Sequence, residues 1–302
     1  MYLSYFGLTE KPFSIAPNPD YLFLSDRHKE ALAHLTFGLG DAGGFVLLTG
    51  EVGTGKTTVT RCMLSQLTDT TQVAFILNPT LNELELLASI CDELKIRYKK
   101  SDTSLKDLTD KIKNRLVKNH QAGRHTMLII DEAQHLSAAV LEQLRLLTNL
   151  ETNTKKLLQI ILVGQPELQQ LLKRNDLRQL AQRITARYHL LPLNEAQVFA
   201  YIQHRLQKAG CQASLFEMNS IKLIHQLTAG IPRLINLLCD RALMGAYSAQ
   251  LPCVSKKIVL LSAKEVLPEQ LEAPKQASSK TLVWALWFGA FAASGFALSY
   301  VI

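Results

Sequence analysis

The sequence predicts an α/β fold in which helices cover both faces of a parallel β-sheet, followed by a small all-helical domain and an apolar C-terminal helix. Residues 194–267 show helical patterns only, and residues 281–302 carry no charged side chain. Short runs rich in Val, Ile and Leu alternate with amphipathic stretches, at 45–49, 73–77, 127–131, 160–164 and 188–193. This alternation is typical of strand–helix units, and continuous apolar runs are typical of a sheet buried on both faces.

The chain divides into five consecutive segments on the same patterns. A Pro-rich N-terminal stretch with one helical pattern precedes the strand–helix domain and the helical domain. A short polar stretch with two prolines and no apolar periodicity then follows, which is typical of a linker. The predicted bounds of the N-terminal segment, the strand–helix domain, the helical domain, the linker and the apolar helix are 1–43, 44–193, 194–267, 268–280 and 281–302.

The composition narrows the functional classes. The chain has 302 residues and a net charge of +7, which invites a nucleic-acid interpretation. Taken together, its densest basic stretches, 97–100 and 106–120, interleave acids with bases at helical spacing, which is more typical of a solvated helix face. Five scattered cysteines without a CxxC pair and eight histidines without ligand spacing predict reduced thiols and no structural zinc. The N-terminus lacks a basic leader, so we expect it to stay in the cytosol.

Residues 50–58, GEVGTGKTT, match the phosphate-binding pattern GxxxxGK[ST] in full. The predicted strand FVLLT leads into this loop and an amphipathic helix leaves it, which is the context that the pattern requires. Backbone N–H groups of such a loop surround nucleotide phosphates, the lysine reaches the β/γ oxygens, and the hydroxyl that follows it reaches Mg²⁺. The residues predicted to bind ATP are Gly50, Glu51, Val52, Gly53, Thr54, Gly55, Lys56, Thr57 and Thr58.

Two acids, Asp131 and Glu132, end the predicted strand MLII. Asp131 is predicted to hold Mg²⁺ together with Thr57, and Glu132 to orient or deprotonate the attacking water. A strand that ends in acids is common by itself, but this one lies downstream of a phosphate-binding loop. The motifs therefore predict hydrolysis of ATP with Mg²⁺, in which Lys56 and Glu132 are catalytic.

Further polar residues are candidates for the same site. Gln165 follows the strand IILVG, where a parallel sheet would bring it next to Asp131, although a glutamine before a proline also suits a turn. Arg233 opens a helix of the helical domain and could fold over the nucleotide, or could be a plain first-turn arginine. Arg183 and Arg187 lie between a predicted helix and the last predicted strand, and either could instead form a surface salt bridge.

Together these motifs resemble the AAA+ ATPases, a family of P-loop NTPases with a three-layer parallel-sheet domain and a small helical lid. By that resemblance Gln165 would be sensor 1, Arg187 the arginine finger and Arg233 sensor 2, with Arg183 as the rival finger. Over residues 1–262 the chain is similar to the ExeA/GspA group of general secretion pathway ATPases and to their MshM-like relatives in MSHA pilus biogenesis. The stretches that carry this likeness are YFGLTEKPFSIAPNPDYLFLS, LTGEVGTGKTT, IIDEAQ, VGQPEL and NEAQVFAYIQHRL.

The resemblance implies a membrane-anchored ATPase that drives or regulates the assembly of an envelope machine, a type IV or MSHA-type pilus or a secretion system. Its expected cofactors are ATP and Mg²⁺. Its expected partners are copies of itself, because a finger acts on a neighbour's nucleotide, together with envelope assembly proteins and the inner membrane, but no nucleic acid. ExeA-type proteins continue into a periplasmic peptidoglycan-binding domain, whereas this sequence stops at Ile302, so the shorter pilus relatives are the closer analogue.

Two other functions fit parts of the sequence. Nucleic-acid-associated ATPases of the transposition-helper type resemble the same core with its GQPEL stretch, but the apolar tail and the lack of a recognisable helix-turn-helix argue against them. A binding module in which nucleotide only sets a conformation is the other alternative. Glu132 argues against it, because a pure switch needs no water-activating acid.

The apolar tail, 281–302, is long enough to cross a membrane. At a rise of 1.5 Å per residue it would extend about 33 Å, against a hydrocarbon core of about 30 Å. Lys275 and Lys280 precede it, and basic flanks stay on the cytoplasmic side. We therefore expect one C-terminal transmembrane helix in the bacterial inner membrane, with the ATPase domain in the cytosol.

Overall fold

The computed structural model describes most of the chain up to Leu267, in the ranges 2–16, 18–37, 44–77, 80–99, 103–152 and 156–267. The predicted linker and the predicted apolar helix lie outside the described residues.

Five parallel strands form one sheet in the order β2-β3-β4-β1-β5. The strand that leads into the phosphate loop therefore lies between two neighbours, and its side chains are buried throughout. The strands are β1 (Gly44–Gly50), β2 (Thr71–Ile76), β3 (His125–Ile130), β4 (Gln159–Gly164) and β5 (Ile184–Leu190).

The last strand begins earlier than the sequence predicts. The apolar run suggested 188–193, whereas β5 starts at Ile184, which pairs with Phe45 of β1. Along β5 the side chains alternate between partly buried and exposed up to Leu190, because α2 (Asp26–Phe37) packs on the face that carries Ala186 and Tyr188. Thr185, Arg187 and His189 on the other face are exposed. Such alternation leaves no continuous apolar run for sequence analysis to find.

Helices cover both faces of the sheet. Successive side chains of β1 point to opposite faces, so Phe45 and Leu47 join one apolar core while Val46 and Leu48 join another. The first core is covered by α4, α5 and α6, and the second by α2 and α3. The helices up to β5 are α1 (Tyr2–Tyr5), α2 (Asp26–Phe37), α3 (Lys56–Gln66), α4 (Glu83–Glu93), α5 (Leu105–Gln121), α6 (Ala138–Leu147), α7 (Pro166–Leu171) and α8 (Arg178–Ala181).

Four further helices build a separate apolar core. Asn194 begins the first of them with a capping box, in which its side chain accepts from the Gln197 N–H and the Gln197 side chain accepts in return. Apolar side chains that precede α2, among them Phe6 and Phe13, pack into this core and not against the sheet. The helices are α9 (Glu195–Lys208), α10 (Met218–Thr228), α11 (Pro232–Ser248) and α12 (Lys256–Val266).

The fold class predicted from the sequence was wrong in one respect, its transmembrane helix. No helix of the described residues is long and apolar enough to cross a bilayer. The longest of them, α5 and α11, have 17 residues each, which is about 26 Å of helix against a hydrocarbon core of about 30 Å. The predicted span, 281–302, lies outside the described residues. The fold is corrected to α/β with a parallel sheet and a helical unit, and the described residues give no support to a single-pass membrane localisation.

Candidate nucleotide-binding site

A cleft of about 390 Å³ opens where the sheet meets the helical unit. Its floor is the phosphate loop between β1 and α3, and its walls come from α2, the N-terminal segment, α9 and α11. Of the residues predicted from the sequence, the lining includes Val52, Gly53, Gly55, Lys56, Thr57, Thr58, Glu132 and Arg233. The fold thus brings residues from three distant parts of the chain to one place.

Two glycines give the loop a backbone that other residues rarely adopt. Gly53 and Gly55 have φ angles of 81° and 104°, in the left-handed region. A Cβ on Gly53 would lie 2.6 Å from the Cβ of Arg233, so the loop also depends on glycine for the close approach of α11. The Arg233 N–H donates to the Gly53 carbonyl at 3.3 Å. Phosphate loop and helical unit are therefore in direct contact.

Lys56 is buried at the first position of α3. Its Nζ donates to the carbonyl oxygens of Gly50 at 2.8 Å and Glu51 at 3.0 Å. Burial lowers the pKa of Lys56, while the negative charges of Glu132 and Asp131 oppose that shift. The ammonium group thus lies beside the loop, and the acidic groups are close enough to affect its pKa.

Thr57 and Asp131 meet at the carboxyl ends of β1 and β3. The Thr57 hydroxyl donates to Asp131 Oδ2 at 3.0 Å, and the other carboxylate oxygen accepts the Glu132 N–H at 2.9 Å. No cluster of three or more His, Cys, Asp or Glu side chains suited to a metal occurs in the described ranges. One hydroxyl and one carboxylate nevertheless fit Mg²⁺, which keeps several waters and takes further oxygens from bound phosphates.

Glu132 is held by two glutamine side chains. Its Oε2 accepts from Gln134 Nε2 at 2.7 Å and from Gln165 Nε2 at 3.3 Å, and Gln134 Oε1 accepts the Gln165 N–H at 3.1 Å. Burial raises the pKa of Glu132, but these hydrogen bonds and the charge of Lys56 outweigh it and hold the pKa below its usual value. Gln165 therefore lies beside Glu132, as a parallel sheet requires. Sequence analysis missed Gln134.

The two arginines proposed as fingers lie in different surroundings, and neither lines the cleft. Arg183 is partly buried, and its Nη1 donates to Thr148 Oγ1 at 2.9 Å. Arg187 is exposed on β5, where its Nη2 donates to the Ala181 carbonyl at 2.7 Å. Arg187 borders a second cavity of about 200 Å³ at the edge of the sheet.

A set of side chains that sequence analysis missed forms the far end of the cleft. The Arg205 guanidinium lies 4.7 Å from the centroid of the Tyr21 ring and donates to the carbonyls of Pro12 and Ser14. These contacts tie the N-terminal segment to α9. Residues that are almost 200 positions apart in sequence carry no local signal of such pairing.

Two further polar groups line the same end of the cleft. The Tyr201 hydroxyl donates to Asn236 Oδ1 at 2.8 Å, which leaves the Asn236 amide nitrogen as the donor end of that side chain. Asn236 lies one turn after Arg233 on α11. The cleft thus runs from the phosphate loop to a pocket of aromatic and amide side chains. Its volume suits a nucleotide.

Comparison with known proteins agrees with this geometry. The family model described as "AAA domain" matches residues 40–172. Residues 40–172 are an AAA domain. General secretion pathway protein A of Aeromonas hydrophila is 59% identical over 266 residues, which are 88% of this chain and 48% of that protein. The resemblance to the ExeA/GspA group is confirmed, and the chain spans about half the length of this curated relative.

Solved structures share the fold of the AAA domain and the helical unit. Cdc6p from Pyrobaculum aerophilum matches with a TM-score of 0.66 at 19% identity, covering 85% of this chain and 70% of that chain. The structure of Drosophila ORC bound to DNA matches with a TM-score of 0.64 at 19% identity, covering 94% and 68%. At these identities the likeness concerns the fold alone.

Proposed function

We propose that this chain hydrolyses ATP with Mg²⁺ and uses the hydrolysis to drive or regulate the assembly of a secretion system. The contact between the Thr57 hydroxyl and the Asp131 carboxylate is the main support, because it aligns the phosphate loop with the acidic end of β3. Lys56 and Glu132 line the same cleft. A phosphate loop, a metal-holding pair and a carboxylate base are the parts that ATP hydrolysis needs.

Each residue has a role that follows from its position. The Lys56 ammonium would exchange loop carbonyls for the β/γ oxygens of ATP, which are stronger acceptors because they are charged. Thr57 and Asp131 would hold Mg²⁺, which supplies charge neutralisation on the phosphates when bound. Glu132, fixed by Gln134 and Gln165, would take a proton from a water molecule while the oxygen of that water attacks the γ-phosphorus. The bond from that phosphorus to the bridging oxygen breaks, and ADP and phosphate leave.

Two arginines would complete the site from different directions. Arg233 is bonded through its backbone to Gly53, so its side chain starts within the same cleft and can reach the phosphates. Arg187 is exposed on the edge strand and lies outside the cleft, a position from which it could reach the nucleotide of a neighbouring copy. Arg183 suits that role less, because its side chain is partly buried whereas that of Arg187 is exposed. We therefore propose a homo-oligomer with Arg187 as the finger.

The secretion role rests on the relative and not on the cleft. At 59% identity over 266 residues, the chain is similar to a protein named for the general secretion pathway. Because the chain spans about half of that protein, the activity and the partners of the whole relative are carried over only as a proposal. An MSHA-type pilus, the other target expected from the sequence, has no further support in the comparisons and stays a prediction.

A pair of glutamate variants tests the hydrolysis. Glu132→Gln removes the base and should bind ATP while releasing phosphate at least about a hundredfold more slowly, which is the usual scale of general-base catalysis. Glu265→Gln, an exposed position on α12 paired with Arg241, is the control and should hydrolyse ATP normally. Normal turnover by Glu132→Gln would show that Glu132 is not the base. Identification of the proteins that co-purify with the native chain tests the secretion role separately.

A further inference from the structure

His28 of α2 is a buried polar side chain that the proposed reaction does not use. Only 4% of its surface is exposed, and its ring lies directly against the phosphate loop. The Nε2 atom is 3.1 Å from the carbonyl oxygen of Thr54, and Nδ1 is 2.6 Å from the hydroxyl oxygen of Ser25. His28 precedes the residues that match the AAA domain, which begin at 40.

The partners of the ring determine which nitrogen carries the hydrogen. The Thr54 carbonyl can only accept a hydrogen bond, so Nε2 must be the protonated nitrogen. Nδ1 is then an acceptor, and the Ser25 hydroxyl donates a hydrogen bond to it. The Ser25 oxygen in turn accepts the backbone N–H of His28 at 3.4 Å. Burial lowers the pKa of His28, against an opposing effect of the Thr54 hydrogen bond, and so favours the neutral ring.

This hydrogen bond acts on the peptide group between Thr54 and Gly55. A trans peptide is planar, and its C=O and N–H point in opposite directions. Holding the Thr54 carbonyl against His28 therefore directs the Gly55 N–H away from His28, and Gly55 lines the cleft. That N–H donates to no acceptor among the described residues. It is one of the backbone groups that a loop of this type offers to phosphate.

The space around the ring agrees with such a role. A Cβ on Gly55 would lie 2.8 Å from His28 Nε2, so no side chain fits there while the ring keeps its place. Gly55 itself has a left-handed backbone at the N-terminus of α3. The imidazole ring thus occupies the space that a side chain on Gly55 would need, and the orientation of the Thr54–Gly55 peptide is fixed from outside the loop.

We propose that His28 is a positioning residue of the phosphate loop, whose Nε2–H fixes the Thr54–Gly55 peptide so that the Gly55 N–H faces the nucleotide phosphates. The inference rests on the proposed function in one respect, that the cleft binds a phosphate chain. It adds a residue of the N-terminal segment to the binding machinery.

Two isosteric variants test the donor at this position. His28→Gln keeps an N–H donor near the place of Nε2, and His28→Met has a similar length without one. Calorimetric titration with inorganic tripolyphosphate, ATP and adenosine should show His28→Met weakened about tenfold for tripolyphosphate and ATP, the effect of about one lost hydrogen bond. His28→Gln should stay within about threefold of the unmodified chain, and adenosine binding should not change. His34→Met, an exposed position on the same helix, is the control.

Several results would overturn the proposal. Equal weakening in the Gln and Met variants would mean that ring packing, and not the donor, is what the loop needs. Unchanged tripolyphosphate binding by His28→Met would also contradict it. ¹⁵N NMR of the histidine rings in the unmodified protein gives a test without any variant, since the His28 hydrogen must be found on Nε2 and not on Nδ1. Tripolyphosphate binding without ATP hydrolysis would contradict the proposed function and leave the role of His28 intact.

Discussion

Lys56 is buried against its own loop, where its ammonium group donates to the carbonyls of Gly50 and Glu51. Replacing it with alanine removes the positive charge nearest the phosphate position and leaves two carbonyl acceptors without their donor. We expect Lys56→Ala to bind ATP at least about tenfold more weakly and to release phosphate at the background rate, because positioning and charge neutralisation supply most of phosphoryl-transfer catalysis.

Nucleotide titration and a phosphate-release assay measure the two effects. Lys264→Ala, an exposed position on α12 that does not line the cleft, is the matched control and should behave like the unmodified chain. Turnover that survives in Lys56→Ala would contradict the assignment of this loop as the phosphate site.

Glu132 gives a prediction about pH. A carboxylate acts as a base only when it is ionised, so activity persists as the pH falls until the pH passes the pKa. Hydrogen bonds from Gln134 and Gln165 help to hold that pKa below its usual value.

Gln134→Met removes one donor, so the pKa of Glu132 should rise and the acid limb of kcat/KM should move to higher pH. Profiles of the two proteins measure the shift, with Gln170→Met, exposed on α7, as control. An unmoved acid limb in Gln134→Met would show that the amide does not tune Glu132.

At the scale of residues, the sequence predicted the parts of the site that are contiguous in the chain. The phosphate loop and the pair Asp131–Glu132 each follow a strand directly, so a short pattern identifies them. His28, Arg205 and Asn236 could not be found in this way, because their partners lie 26 to 193 positions away. Only the packing of α2, α9 and α11 around the loop brings them into the cleft.

Helix α11 is the element that joins the helical unit to the phosphate loop, through the Arg233 N–H and the Gly53 carbonyl. Gly53→Ala would introduce a Cβ 2.6 Å from the Cβ of Arg233 and force α11 away from the loop. We expect this variant to bind ATP about tenfold more weakly, because the first turn of α11 would no longer border the phosphates.

The matched control for this element is Gly123→Ala. Gly123 also has a positive φ, 69°, but a Cβ there would meet nothing within 4 Å. Both variants carry backbone strain, which costs about 1 kcal/mol of stability or somewhat more. Only Gly53→Ala should lose ATP affinity, as measured by nucleotide titration beside thermal unfolding. Equal affinity in the two variants would mean that the contact with α11 does not matter for binding.

The contrast between features that are contiguous in the chain and features formed by distant packing also explains which elements the sequence predicted. The core strands β1, β3 and β4 are apolar along nearly their whole length and were recognised directly. The edge strand β5 was placed too late because its outward side chains interrupt the pattern. The packing of the residues before α2 into the helical core could not be predicted either, since their aromatic side chains have no periodicity that indicates where they pack.

At the scale of the whole molecule, the cleft lies between two apolar cores, one built on the sheet and the other on the helical unit. Polar contacts that join the two parts near the cleft include the Arg233 N–H to the Gly53 carbonyl at 3.3 Å and the Leu193 N–H to the Gly230 carbonyl at 2.9 Å. A nucleotide in the cleft would contact both parts at once. Binding is therefore expected to fix the helical unit against the sheet.

Copies of the chain would meet on surfaces that a single copy leaves exposed, and Arg187 on the edge strand is one such group. If it acts on a neighbour's nucleotide, Arg187→Ala should bind ATP normally but hydrolyse it at least about a thousandfold more slowly, since a finger contributes about 10³ or more. A mixture of Arg187→Ala with Lys56→Ala should regain activity, because some interfaces then pair an intact loop with an intact finger. Arg183→Ala is the control: it loses the bond to Thr148 and about 1.5 kcal/mol of stability, but should keep its turnover.

The rate of phosphate release, measured for the single variants and for their mixtures, tests both the loss and the recovery of activity. A mixture that stays inactive, while Arg183→Ala is inactive alone and complements Lys56→Ala, would move the finger to Arg183.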